Sequence, residues 1–112
     1  MLSFLIHRTM KQLIMHRHCI ELDLLEDDLT KEQRRNLLTA NKVITELLDR
    51  NGPNVLDWNH GHATGVDKFY TLGDEVMLYG AYLGECLRNA KSVLENKGVI
   101  VHYNEIGCVE IY

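Results

Sequence analysis

The run EVMLYGAYLGECLRNAKSVLENKG, residues 75–98, limits what this chain can fold into more than any other segment. Glu75 to Tyr79 is nearly all apolar, as expected of a central strand covered on both faces. Gly80 then permits a tight turn. Leu83, Leu87, Ala90 and Leu94 recur at helical spacing, and Lys97-Gly98 ends the helix. Strand, turn and helix in this order are the building unit of an α/β sandwich. Cys86 falls in the helix's first turn, where unpaired backbone N–H groups and the helix dipole favour negative charge. A thiol there loses its proton more readily and can serve as a nucleophile. Free cysteine is also a common small buried hydrophobe. Both readings stand at this level.

The rest of the chain supplies the partners of that unit. Residues 2–15 place Leu2, Ile6, Met10, Leu13 and Ile14 near one helical face and predict an N-terminal amphipathic helix, residues 1–18, set apart from an α/β domain at 19–112. That helix would pack on the domain or on a second subunit. Cys19 to Leu25 alternates, with Ile20, Leu22 and Leu24 on one side, and predicts a first strand. Thr30 and Gln33 are spaced for a capping box at the start of a long helix with Leu37, Leu38, Ile44, Leu47 and Leu48 as its stripe. Asn51-Gly52-Pro53 stops it. Asn54 to Trp58 is a short second strand, and a loop with Gly61 and Gly65 follows. Val99 to Tyr103 is a fourth strand, and Ile106 to Tyr112 a fifth, paired as a hairpin through Asn104-Glu105. The alternation predicts a three-layer sandwich around a small, mostly parallel sheet of Rossmann-like kind.

A chain of 112 residues makes one domain with a modest core. A formal charge of −4 argues against nonspecific nucleic-acid binding, and no run is long enough for a membrane span. The three cysteines, Cys19, Cys86 and Cys108, form no CxxC and no disulfide framework, and no typical secretory signal is visible. A reducing, cytoplasmic setting is expected. Parallel sheets place their sites outside the carboxyl ends of the strands. Asp23, Asp57 and the Gly80–Cys86 turn all fall at or near such ends in this reading.

The segment GAYLGECLRNAKSVLENKG resembles the nucleophile segment of the isochorismatase-like cysteine hydrolases, which include nicotinamidases. In that family a glycine ends the strand, the catalytic cysteine follows six positions later, and a glycine closes the helix twelve positions on. Here these positions are Gly80, Cys86 and Gly98. Leu83 stands where the family usually has threonine. Asp57-Trp58-Asn59-His60-Gly61-His62 is similar to the family's metal-binding Asp-Trp-His segment, with Asn59 in place of histidine.

What the resemblance implies is specific. Cys86 would attack the carbonyl of a small amide substrate, and Asp23 would take and return a proton. Lys68 is the sole lysine in the interval where the family carries its catalytic lysine. Gly80, Ala81 and Tyr82 would form the oxyanion turn, with a cis peptide expected near Ala81-Tyr82. Asp57, His60 and His62 would hold a divalent metal such as zinc, iron or manganese. No cofactor follows from the residues without the resemblance, and the metal loop reads equally as a polar loop. A homo-oligomer is expected. The alternative is a catalytically inactive relative, a pseudoenzyme that binds a protein partner or a second copy of itself.

Overall fold

The computed structural model describes residues 10–51 and 54–110. The described residues form a four-stranded sheet with helices on both faces. Strand β1 is Lys11–Met15, followed by a short helix α1, Arg17–Asp23, and the long helix α2, Lys31–Asn51. Strand β2 is Val55–Trp58; a 3-10 turn, Val66–Phe69, leads to β3, Glu75–Ala81. Helix α3, Cys86–Asn96, and strand β4, Ile100–Val109, complete the order. The strands lie in the order β2-β1-β3-β4, and every pairing is parallel. No helix among the described residues is long and apolar enough to cross a membrane.

Side-chain alternation divides the core between the two faces. Leu13, Met15, Val76 and Leu78 point toward α3 and pack with its Leu87, Ala90 and Leu94. Ile14, Tyr79 and Ala81 point the other way and pack with Leu37, Ala40, Ile44 and Leu47 of α2. Leu13, Ile14 and Met15 are all fully buried, which only an inner strand covered on both sides achieves.

This overturns the helix expected over residues 2–15. Within the described residues the segment is β1, an inner strand of the sheet, and residues 1–9 lie outside them. The boundary expected at 18/19 therefore separates nothing, because β1 belongs to the domain. The strand expected over Cys19–Leu25 is helix α1 instead. Ile20 is buried but Leu22 is 63% exposed, so the apparent alternation hides a helix with one inward residue per turn. Asp23 consequently ends a helix, not a strand.

The capping box forms as expected. Gln33 N–H donates to Thr30 Oγ1 at 3.0 Å, and Thr30 N–H donates to Gln33 Oε1 at 2.8 Å. Leu38 leaves the expected stripe and is half exposed, while Ala40 joins it. Helix α2 reaches Asn51; Gly52 and Pro53, expected to stop it, lie outside the described residues. Gly98 closes α3 with a left-handed φ of 90°, and its N–H donates to Glu95 O.

The hairpin expected at Asn104-Glu105 is a bulge within one strand. Leu78 pairs with Tyr103 and Gly80 with Cys108, so Asn104, Glu105, Ile106 and Gly107 stand against Tyr79 alone. Asn104 Oδ1 accepts from the N–H groups of Ile106 and Gly107, which satisfies the backbone of the extra residues. The turn-forming chemistry is real, but it re-aims β4 without reversing it.

Candidate functional site

The chain passes from β1 to β2 on one side, then returns to place β3 on the other side of β1. The carboxyl ends of β1 and β3 therefore flank the switch point at which parallel sheets open a crevice. Met15 and Gly80 are paired there. Beyond Gly80 the Ala81–Tyr82 peptide is cis. The turn that follows is held by main-chain hydrogen bonds: Leu83 N–H donates to Val109 O at the end of β4, and Glu85 and Leu87 N–H both donate to Tyr82 O.

Cys86 is the first residue of α3 and is half-buried. It lines a cleft of about 260 Å³ together with His62, Thr64, Asn89, Ser92 and Val93. The sulfur is thus reachable, at the end of the sheet where the sequence places a site. Its electrostatics run against the expected activation. Burial pushes the Cys86 thiol up, and the charges of Glu85 and Cys19 push in the same direction. The group rests as a neutral thiol at pH 7.

Cys19 is a residue to which the sequence pattern assigned no role at the site. It lies on α1, half-buried, and its thiol is raised by burial and then by the charge of Asp23. The charge of Asp23 is felt at Cys19 and that of Cys19 at Cys86, so the three groups share one electrostatic neighbourhood. Asp23 reaches it from the last turn of α1. Lys68 lies on the exposed side of the 3-10 turn, outside the lining of the cleft.

The expected metal segment does other work. Asp57 Oδ2 accepts from Arg17 Nη2 at 2.8 Å and Nε at 3.2 Å, and Asp57 Oδ1 accepts from Asn59 Nδ2 at 3.0 Å. This carboxylate raises the Arg17 guanidinium through their hydrogen bond. The His60 ring stands edge-on to Trp58, with centroids 4.6 Å apart. His62 turns to the cleft and holds Trp58 Nε1–H on its carbonyl at 2.9 Å. Among the described residues no three His, Cys, Asp or Glu side chains gather closely enough to hold a metal ion. Asp57, His60 and His62 are dispersed over an ion pair, an aromatic contact and a cleft wall.

His16 is the second residue that sequence reasoning missed. It follows β1 directly, in left-handed conformation with φ 58°, and is only 8% exposed. Its N–H donates to Trp58 O at 2.8 Å, and its ring Nε2 is hydrogen-bonded to the carbonyl of His60. The available signal was a polar residue placed directly after the apolar triplet Leu13-Ile14-Met15. A larger cleft of about 610 Å³ lies between α2 and the end of β4, lined by Arg35, Thr39, Leu83, Glu105 and Glu110 among others. Cys86 is not part of it. Compared with family models, with curated proteins and with solved structures, the chain has no significant match.

Proposed function

We propose that this chain is a cysteine-dependent hydrolase of isochorismatase-like kind, acting on the C–N bond of a small amide through Cys86. The observation that carries the reading is the placement of Cys86: first turn of α3, carboxyl end of β3, half-buried and open to a cleft. The Gly80, Cys86 and Gly98 spacing supports it.

On this reading the Cys86 sulfur bonds to the amide carbon, the C–N bond breaks, and the thiol proton leaves with the amine as ammonia. Water then attacks the thioester, releasing the carboxylic acid and returning a proton to sulfur. Because the thiol rests neutral, the proton must move as the S–C bond forms. Asp23 is the acceptor the reading assigns, acting across the neighbourhood it shares with Cys19 and Cys86. Lys68 has no part in this version, and no metal is required. A cleft of about 260 Å³ falls below the usual range for drug-sized ligands and suits a molecule of roughly a dozen heavy atoms.

The test is ammonia release from a panel of small amides, run with the parent and with Cys86→Ala. Turnover that disappears in the variant supports the reading; release that survives the substitution rejects it.

A second reading, the catalytically inactive module, is favoured by the burial, and after it the charges of Glu85 and Cys19, that keep Cys86 neutral. Leu22 and Leu25 near α1 and Leu38 on α2 are each more than half exposed and offer contact area for a protein partner or a second copy. Protection of Cys86 against alkylation separates the two. Alkylation at fixed pH that slows in the presence of a competing small amide favours the hydrolase, and a rate unchanged by any amide favours the module.

A further inference from the structure

We infer that His16 is the positioning residue of the Cys86 cleft: its ring, donating from Nε2 to the His60 carbonyl, holds the loop that forms the wall opposite the thiol. Gly61, His62, Ala63 and Thr64 make up that wall, and Cys86, Asn89, Ser92 and Val93 make up the other. The loop leaves β2 at Trp58 and is tied at two points. His16 holds it at the His60 carbonyl, and Trp58 Nε1–H holds it at the His62 carbonyl. The His16 backbone closes the same corner, since its N–H donates to Trp58 O.

The acceptor decides the chemistry. A carbonyl oxygen carries no proton, so the Nε2 atom of His16 must carry it. The ring is buried and spends its donor on the loop. It therefore does not serve Cys86 as proton acceptor through that nitrogen, although it stands at the end of the first strand, beside the crevice. The left-handed turn at His16 is what swings the ring from the end of β1 toward the loop, and histidine is among the residues that enter this conformation more readily than most. The inference rests on the proposed role of the cleft, but its readouts need no turnover. An absence of hydrolysis leaves it standing, and its own failure leaves the nucleophile untouched.

The experiment compares the parent with His16→Ala and His16→Gln. The Gln side-chain amide can donate from nearly the position of Nε2. Alkylation of Cys86 by a bulky maleimide is followed by mass spectrometry, with Cys108 as the internal reference. Quenching of Trp58, the chain's one tryptophan, reports on the loop directly. Loss of the anchor in His16→Ala is expected to speed Cys86 alkylation on the order of tenfold relative to Cys108 and to increase Trp58 quenching, with both effects largely reversed in His16→Gln. Equal Cys86 rates in all three proteins overturn the inference. So does a uniform acceleration of every cysteine that Gln fails to reverse. Should His16→Ala not fold, nitrogen NMR of the parent decides: an Nε2-protonated His16 ring supports the anchor, and an Nδ1-protonated ring overturns it.

Discussion

A β-carbon added to Gly80 would stand 2.0 Å from the carbonyl oxygen of Met15. The two residues are partners across β1 and β3, at the carboxyl ends that open the crevice. Gly80 also has φ 120°, which L side chains rarely adopt. Space and backbone thus both demand glycine, and the obstacle is main chain that cannot rotate away. Gly80→Ala is expected to cost at least about 3 kcal/mol in unfolding free energy, measured by urea denaturation. A loss within about 0.5 kcal/mol would mean that the strands are not so closely apposed.

The start of α2 depends on reciprocal bonds between Thr30 and Gln33. Thr30→Ala should lower stability by about 1 kcal/mol, and Thr30→Ser should restore most of it. Thermal unfolding of the three proteins checks this. An Ala variant as stable as the parent would show that the cap contributes nothing.

Arg17 and Asp57 join the start of α1 to β2, with side chains about a quarter exposed. Their charge-assisted contact, two guanidinium nitrogens on one carboxylate oxygen, should give a coupling of about 1 kcal/mol in a double-mutant cycle through Arg17→Ala and Asp57→Ala. The coupling should weaken as salt is raised. A cycle that closes to zero at low salt would contradict the pairing.

Cys108 supplies a pH dependence. Its Sγ–H donates to Leu78 O at 3.2 Å, and burial pushes its thiol up to about 11 from an ordinary value of 9.0. Below about pH 9 both the folded and unfolded forms keep the proton, and the contribution is fully present. Between about pH 9 and 11 the unfolded chain releases the proton while the folded chain holds it, so stability falls with rising pH. The loss should total about 2–3 kcal/mol and should flatten in Cys108→Ala. An identical slope in parent and variant would remove the role of this thiol.

What the sequence made legible follows from how local each signal is. The capping box at Thr30, the closing glycine at Gly98 and the strand–turn–helix around Cys86 all depend on neighbouring residues, and all three appear as expected. The first strand was hidden because Leu13-Ile14-Met15 also fits a helical face when joined to Leu2, Ile6 and Met10. Only the demand for an inner strand buried on both sides distinguishes the two. Once Lys11–Met15 takes that place, the alternating Cys19–Leu25 has no edge to occupy and folds as α1. At the site, the position of Cys86 was readable from spacing. Its neutral state was not, because that state comes first from burial that only the packed sheet creates, and then from the charges of Glu85 and of Cys19, a residue remote in sequence. His16 escaped notice because its partner, the His60 carbonyl, is backbone and leaves no mark on residue type.

The role of Cys86 is tested most directly by intact-protein mass spectrometry under acid quench during incubation with small primary amides. An acyl adduct on Cys86 is expected, formed at the expense of one ammonia and absent from Cys86→Ser. A protein whose mass never changes with any amide, and whose Cys86→Ser variant behaves identically, would contradict the assignment of this thiol as a nucleophile.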